Sequence, residues 1–209
     1  MIATRYKAVF NRLLDPPARL MVRLGVSPSA VTLSGLVLVG ASCLFVLLTR
    51  RVLLFCVLVT AANLLDVLDG AVARASGRVS PFGSYLDAVC DRIEEAAVVL
   101  SVAAVTGYWM LSMVGLVGAL LVSYAKARAA MEAPISNLEW PDLMERAERG
   151  VLYVVGLAAS QLCAWRPLGH DLFWWTLACL SVLIWATVVQ RILRARRIIQ
   201  HRDSSVRIR

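Results

Sequence analysis

The amino-acid sequence predicts an all-α, polytopic membrane protein with six transmembrane helices and an N-terminal amphipathic helix in the membrane interface. Of its 209 residues, 59% are hydrophobic and 17% are charged, and the mean hydropathy is +0.71. Such a composition is typical of a chain that crosses a membrane several times. The apolar residues form six runs of about 20 residues, the length that a helix needs to cross a bilayer, and the basic residues gather at one set of run ends.

Residues 4–24 predict the amphipathic helix. Apolar residues such as Phe10 and Leu13 recur at helical spacing, and basic residues such as Arg12 and Arg19 occupy the other face. A helix of this kind lies in the membrane interface. The domain organisation that we predict is an N-terminal juxtamembrane helix over 1–30, a six-helix transmembrane domain over 31–198 and a basic cytosolic tail over 199–209.

The first membrane helix is predicted to start at Ser27-Pro28, because proline is favoured in the first turn of a helix. A tight outer turn at Arg50-Arg51 separates it from the second. The six spans are predicted at residues 31–49, 52–74, 82–106, 109–129, 145–164 and 172–194 and beyond.

The basic residues predict the orientation. If the N-terminus is inside, most Lys and Arg residues fall on the cytosolic side, whereas Arg50, Arg51 and Arg166 fall outside. Because cytosolic loops are enriched in Lys and Arg, we expect a multi-pass protein of the cell membrane with both termini and its functional loops in the cytosol. These charges flank spans and favour an anionic lipid leaflet. They do not form the basic surface of a soluble domain, so we expect no nucleic-acid partner.

Four aspartates lie inside apolar sequence. Asp66 and Asp69 are three residues apart in the second span, and Asp87 and Asp91 are four apart in the third. Each pair therefore shares one helix face, and a short polar hairpin makes the two helices antiparallel neighbours, so the four side chains can converge. Carboxylates in a membrane are costly unless they are paired, solvated or bound to a cation. Clustered carboxylates suit hard divalent cations, namely Mg²⁺, Mn²⁺ or Ca²⁺.

Small residues and an arginine accompany the aspartates. Gly70 and Ala73 leave the helix surface bare, so that a ligand can approach the backbone, and Arg74 is placed to meet a phosphate. Four acids and an arginine beside a bare helix surface predict a site of metal-assisted phosphoryl transfer.

The spacing Asp-x-x-Asp-Gly-x-x-Ala-Arg, then eight residues and Gly-x-x-x-Asp-x-x-x-Asp, resembles the signature of the CDP-alcohol phosphatidyltransferases. The resemblance implies a six-helix membrane enzyme, often a homodimer, in which an acceptor alcohol attacks the β-side phosphorus of a CDP-linked lipid and CMP is released. It also implies two Mg²⁺ or Mn²⁺ ions held by the four aspartates, and Asp91 as the base that takes the proton of the acceptor hydroxyl.

The same resemblance implies a binding site for CDP-diacylglycerol or CDP-archaeol. Pro28 and Thr32 match a Pro-x-x-x-Thr motif that lies near the nucleotide in the family, although ordinary helix capping explains these two residues as well. The other expected CDP-lipid-binding residues are Asp69, Gly70, Ala73, Arg74 and Gly83.

A basic group falls at the cytosolic ends of the last three spans. Its members are Lys126, Arg146, Arg149 and Arg191. One interpretation is a set of flanking cations that reach the lipid headgroups. The other is a pocket for the phosphate dianion of an acceptor that already carries phosphate.

Three short motifs contain these cations: Ser-Tyr-x-Lys-Ala-Arg-Ala, Glu-Arg-x-Glu-Arg and Gln-Arg. They resemble the branch of the family that uses inositol 1-phosphate as the acceptor and makes phosphatidylinositol phosphate or archaetidylinositol phosphate. The connection from Met131 to Met144 contains no glycine, where that branch has a glycine-rich loop. Glycerol 3-phosphate, which also needs a cationic pocket, is therefore kept as an alternative acceptor.

A divalent-cation transporter is the alternative from another class of protein, because aspartates near the middle of a membrane could also carry ions. The outer halves of the six predicted spans contain no acidic residue that would continue an ion path. The predicted site therefore opens to the cytosol alone, which favours the enzyme.

Overall fold

The computed structural model describes residues 14–133 and 143–206, which form seven α-helices and one short 3-10 turn and contain no strand. The predicted all-α class is therefore confirmed for the described residues. Residues 1–13 of the predicted N-terminal helix and residues 134–142 of the connection before the fifth predicted span lie outside them. The helices are α1 (residues 14–23), α2 (Pro28–Thr49), α3 (Val52–Ser76), α4 (Pro81–Thr106), α5 (Trp109–Glu132), α6 (Arg146–Leu162) and α7 (Leu172–Val206), with the 3-10 turn at Pro167–Gly169.

Two Ser-Pro pairs start the helices α2 and α4. Ser27 Oγ accepts a hydrogen bond from the backbone N–H of Ala30 at 3.2 Å, and Ser80 Oγ accepts one from the N–H of Gly83 at 3.0 Å. In each case proline follows in the first turn, where its missing N–H would have had no partner in the helix. The predicted helix start at Ser27-Pro28 is confirmed. At the other end of the chain, α7 continues beyond residue 199, so the described part of the predicted tail is helical.

Arg50 connects the C-terminal ends of α2 and α4. It closes α2 in the left-handed conformation, with a φ of 58°, which is unusual for a residue other than glycine. Its Nη1 donates hydrogen bonds to the carbonyl oxygens of Ala104 and Val105, at 3.1 and 3.3 Å, near the end of α4. The last carbonyls of a helix have no partner within the helix, so Arg50 stabilises α4 while it turns the chain towards α3.

The described chain divides into two compact units, of which the first ends at Gly107 and the second starts at Tyr108. In the first unit, α2 packs against both α3 and α4. The helix α1 packs on the beginning of α2 and the end of α3, because Ala18 forms a core cluster with Val31, Leu68, Ala71 and Val72. α1 therefore supports the segment of α3 that carries Asp69.

In the second unit, α7 packs against α5 and α6. Glycines allow these helices to approach closely. A Cβ added at Gly156 of α6 would lie 2.4 Å from Thr176 of α7, and one added at Gly118 of α5 would lie 2.7 Å from Cγ2 of Ile184. The second unit is thus held together by small residues that face larger ones on α7, a common way to pack helices in membranes.

Within residues 14–133 and 143–206, four helices are long and apolar enough to cross a membrane, judged by length and composition. They are Pro28–Thr49, Val52–Ser76, Trp109–Glu132 and the Leu172–Gln200 part of α7. Two other predicted spans are helical but are not among these four. α4 is long enough, with 26 residues, but has charged side chains between Asp87 and Glu95, and α6 is shorter, with 17 residues.

Candidate active site

Asp69 is held by a threonine of the neighbouring helix. The hydroxyl of Thr32, on α2, donates a hydrogen bond to Oδ2 of Asp69, on α3, at 2.5 Å, and lies 3.3 Å from the carbonyl oxygen of Pro28. Both side chains are buried, with 4% of Thr32 and 8% of Asp69 exposed. A hydroxyl-to-carboxylate bond of this length is strong, since the acceptor is charged. Thr32 therefore orients a predicted metal ligand, whereas the helix cap of α2 is Ser27.

The bare surface predicted on α3 is partly covered by Arg74. A Cβ added at Gly70 would lie 3.3 Å from Nη1 of Arg74, so the guanidinium group folds back along the helix over this glycine. A larger residue at position 70 would push the guanidinium aside. Gly83 has a comparable steric role, because a Cβ there would lie 3.1 Å from Oγ of Ser80, the cap of α4.

The predicted metal ligands lie on α3 and α4. Asp87 and Asp91 are partly buried on α4, and the side chain of Asp66 is not among those described. Among the described side chains, no group of three or more His, Cys, Asp or Glu residues is arranged to hold a metal ion. The four-aspartate centre therefore stays a prediction.

In the second unit, the acidic residues of Glu-Arg-x-Glu-Arg start a helix. The backbone N–H of Glu145 donates to Oε2 of Glu148 at 3.1 Å, and the two residues form a capping box at the start of α6. Such a box satisfies N–H groups that otherwise lack partners at a helix start. The two glutamates thus fix the first turn of α6, which carries Arg146 and Arg149.

Two of the predicted cations are buried. Arg149, on α6, and Arg191, on α7, are 5% and 6% exposed. Nη1 of Arg149 donates to the carbonyl oxygen of Met144 at 3.2 Å, and Nη1 of Arg191 donates to the carbonyl oxygen of Val122 on α5. Flanking cations that reach lipid headgroups are exposed at their charged ends. The burial of both arginines therefore disfavours that interpretation for them.

The other two predicted cations are only partly buried. Lys126 lies on α5 and Arg146 in the first turn of α6. Because α5 and α6 both pack against α7, the helices that carry all four predicted cations belong to one compact unit. A further contact, from the N–H of Leu143 to Oε1 of Gln190 at 3.1 Å, ties the segment before α6 to α7 beside Arg191.

Residues 25–192 of this chain match the CDP-alcohol phosphatidyltransferase family. The chain belongs to this family. Among its relatives, the phosphatidylinositol phosphate synthase of Corynebacterium glutamicum is 34% identical over 88% of this chain and 84% of that protein. The archaetidylinositol phosphate synthase of Pyrococcus horikoshii is 29% identical over 88% of this chain and 91% of that protein.

The fold of this phosphatidyltransferase is also similar to solved structures. The Mycobacterium tuberculosis phosphatidylinositol phosphate synthase with CDP-DAG bound has a TM-score of 0.76 and 28% identity, over 88% of this chain and 94% of that chain. The same protein in complex with manganese and citrate also has a TM-score of 0.76 and 28% identity, over 87% and 88% of the two chains. This chain is therefore an enzyme rather than a cation transporter, and with four apolar helices it is an integral membrane protein.

The phosphatidyltransferase has three charged residues on α4 that the sequence analysis missed. Arg92, Glu94 and Glu95 follow directly after the signature, and Glu94 is 2% exposed. Nη1 of Arg92 lies 2.8 Å from Oε2 of Glu95, and Nη2 of Arg92 lies 3.6 Å from Oδ2 of Asp91. The sequence contained a signal for these residues. They are further charges in an apolar run, and Arg92 and Glu95 are three residues apart, so they share a helix face.

Proposed function

We propose that this enzyme transfers the phosphatidyl or archaetidyl group of a CDP-lipid to a hydroxyl of inositol 1-phosphate and releases CMP. The observation that carries the proposal is the burial of Arg149 and Arg191 in the second unit. A guanidinium group binds phosphate through paired N–H groups, and burial strengthens that interaction. Support also comes from the relatives in Corynebacterium and Pyrococcus, which are synthases of inositol-phosphate lipids.

In this proposal the acceptor phosphate binds to Lys126, Arg146, Arg149 and Arg191. The two buried arginines provide the strongest contacts, because side chains that are already ordered lose little entropy on binding. The partly buried Lys126 and Arg146 add positive charge to the proposed site. A phosphate dianion is recognised by these charges, whereas free inositol would lack the contact.

The CDP-lipid, CDP-diacylglycerol or CDP-archaeol, is proposed to bind on the first unit. Arg74 contacts a phosphate of the nucleotide, and the small residues Gly70, Ala73 and Gly83 admit the nucleotide close to the backbone. Pro28 lies at the start of α2, one turn before Thr32. A solved relative has CDP-DAG bound, which supports this class of donor.

The proposed cofactor is Mg²⁺ or Mn²⁺, two ions per site, held by Asp66, Asp69, Asp87 and Asp91. The four aspartates fit such a cation, since they are oxygen ligands suited to hard cations. The Thr32 hydroxyl orients Asp69 through a hydrogen bond, as residues around metal sites commonly orient the ligating carboxylates. A solved relative is a complex with manganese. When bound, such cations neutralise negative charge on the pyrophosphate of the donor.

Asp91 is the proposed base. Its carboxylate takes the proton of the acceptor hydroxyl as the oxygen forms a bond to the β-side phosphorus, and the bond from that phosphorus to the oxygen of CMP breaks. The acceptor is held through its phosphate, so that its hydroxyl is oriented for in-line attack. Arg74 holds the leaving nucleotide.

Six membrane spans are proposed, formed by α2 to α7, with α1 in the cytosolic interface. α4 can cross the membrane because its charged residues belong to the site, and α6, at 17 residues, is at the lower limit for a span. We propose the orientation that the basic residues predict, with both termini and the active site facing the cytosol of a cell membrane. The domain limits proposed are 1–30, 31–198 and 199–209, and the proposed assembly is a homodimer.

The test of this function uses purified protein, a CDP-lipid and Mg²⁺ or Mn²⁺. Inositol 1-phosphate, glycerol 3-phosphate, free inositol and serine are offered one at a time, and CMP release is measured. We expect release with inositol 1-phosphate and little with free inositol, because the buried arginines need a phosphate. Release with glycerol 3-phosphate alone would contradict the proposed acceptor and leave the family reaction unchanged.

A further inference from the structure

Three charged residues on α4, which we call the α4 triad, are in contact: Asp91, Arg92 and Glu95. Arg92 lies 3.6 Å from Asp91 through Nη2 and 2.8 Å from Glu95 through Nη1. All three side chains are largely buried, with 17%, 23% and 16% exposed for Asp91, Arg92 and Glu95. The triad is therefore a chain of charges inside the helix bundle of the first unit.

The contact between Arg92 and Asp91 does not follow from the helix itself. Neighbouring residues on a helix point in different directions and do not face each other. Residues 92 and 95 do share a face, so the Glu95 contact is the ordinary helical one. The approach of Nη2 to Asp91 therefore means that the guanidinium group spans from the Glu95 face to the Asp91 carboxylate.

A comparison within the chain separates this triad from surface ion pairs. Arg19 and Asp15 on α1 are 3.7 Å apart, with 73% and 57% of their side chains exposed. Such exposed pairs contribute roughly 0–1 kcal/mol to stability. Arg92 is instead the only Lys or Arg in the sequence of α4, whose other charged residues are four acids. Burying it is costly, so a role in stability alone does not explain its position.

We propose that Arg92 is a positioning residue for the transfer reaction: it fixes the orientation of the Asp91 carboxylate, and Glu95 fixes Arg92. The ion-pair contact at Oδ2 restrains rotation of the carboxylate, and in this proposal Oδ1 is the atom that is presented to the acceptor hydroxyl or to a cation. The inference rests on the role of Asp91 proposed above. It adds two residues that lie outside the family signature and that touch neither substrate.

The expected effect is estimated from residues that contact metal ligands without touching the metal. Loss of such a residue weakens metal binding or activity by roughly 10–100-fold. Arg92→Ala should lower kcat or Mn²⁺ affinity by this factor, while the KM for inositol phosphate changes little. Arg92→Lys should recover part of the loss, since the charge stays and the planar fork is lost. Glu95→Gln should have a smaller effect in the same direction.

The experiment measures Mn²⁺ binding by electron paramagnetic resonance in the absence of substrates, and kcat and KM for both substrates in nanodiscs. Arg19→Ala is the matched control, because it removes an exposed pair on α1 and should leave Mn²⁺ affinity, kcat and both KM values unchanged. Arg92→Met keeps an unbranched side chain without the charge and is measured if the alanine variant is not stable. The double variant Arg92→Ala/Glu95→Gln should be no worse than Arg92→Ala, because Glu95 acts through Arg92.

Two results would overturn the inference. One is wild-type kcat and Mn²⁺ affinity in Arg92→Ala or in a stable Arg92→Met protein. The other is an additive loss in the double variant, which would give Glu95 a role independent of Arg92. The Asp91→Asn variant separates the two proposals: if it stays active, the role of Asp91 is wrong, whereas an inactive Asp91→Asn beside active Arg92 variants contradicts the positioning role alone.

Discussion

The acidic segment of the first unit and the basic group of the second are built in different ways. Two of the described acids contact side chains: Asp69 accepts a hydrogen bond from Thr32, and Asp91 lies beside Arg92. The buried bases contact main-chain carbonyls, of Met144 for Arg149 and of Val122 for Arg191. Side-chain partners depend on particular residue types, whereas a carbonyl oxygen is present at every position.

This difference has a consequence for mutation. Substitution of Thr32 or Arg92 should change the acidic site directly, because the hydroxyl or guanidinium group that contacts the aspartate is lost. The main-chain carbonyls that accept from Arg149 and Arg191 cannot be removed by substitution, so these two contacts should respond to changes in helix packing instead. We therefore expect the two regions to be sensitive to different kinds of substitution, and four predictions test this.

The largest effect is expected for Asp91→Asn. The amide cannot accept the proton of the acceptor hydroxyl, and general-base catalysis typically contributes about 10²–10⁴-fold. CMP release should fall by at least this factor, while binding of the CDP-lipid, measured by calorimetry, should stay close to wild type. Near-normal CMP release would remove Asp91 from the role of base.

Arg191→Ala tests the basic group. A charge-assisted contact to phosphate is worth about 1.5–3 kcal/mol, so kcat/KM for inositol phosphate should fall by roughly 10–150-fold with little change in the KM for the CDP-lipid. Arg191→Lys should recover part of this, since the charge is retained. Arg196→Ala, at an exposed position further along α7, is the control. Equal losses towards both substrates would indicate a folding defect rather than a phosphate pocket.

Thr32→Val removes the hydroxyl that holds Asp69 and keeps the shape of the side chain. We expect Mn²⁺ binding without nucleotide to weaken by roughly tenfold, at the lower end of the effects of outer-shell partners. Thr32→Ser should behave like the wild type because it keeps the donor. If Thr32 instead contacts the nucleotide, the valine variant would bind Mn²⁺ normally and show a raised KM for the CDP-lipid alone.

Gly156→Ala tests the packing that places the basic group. The new Cβ would lie 2.4 Å from Thr176, and overpacking of this kind costs about 1–3 kcal/mol. We expect a lower Tm and a modest rise in the KM for inositol phosphate, since α6 must move away from α7. Gly150→Ala is the control on the same helix, because its Cβ would meet no atom within 4 Å. An unchanged Tm in Gly156→Ala would mean that Thr176 moves aside without cost.

The sequence by itself determined the helices and the class of chemistry. Helix starts at Ser27-Pro28, Val52, Trp109 and Leu172 were predicted correctly, because capping residues, proline and apolar runs act over a few residues. The family could also be predicted from the sequence, since the residues of the signature lie on two consecutive helices at fixed spacing. Both are local properties of the chain.

The tertiary structure decided how side chains from distant positions meet. The sequence placed Thr32 near the nucleotide or at a cap, but the packing of α2 on α3 brings its hydroxyl to Asp69, 37 positions away. The burial of Arg191 likewise depends on α5, whose Val122 carbonyl it contacts 69 positions away. Periodicity shows which residues share a helix face, but the rotation and depth of one helix against another are set by packing, including the contacts that Gly118 and Gly156 allow.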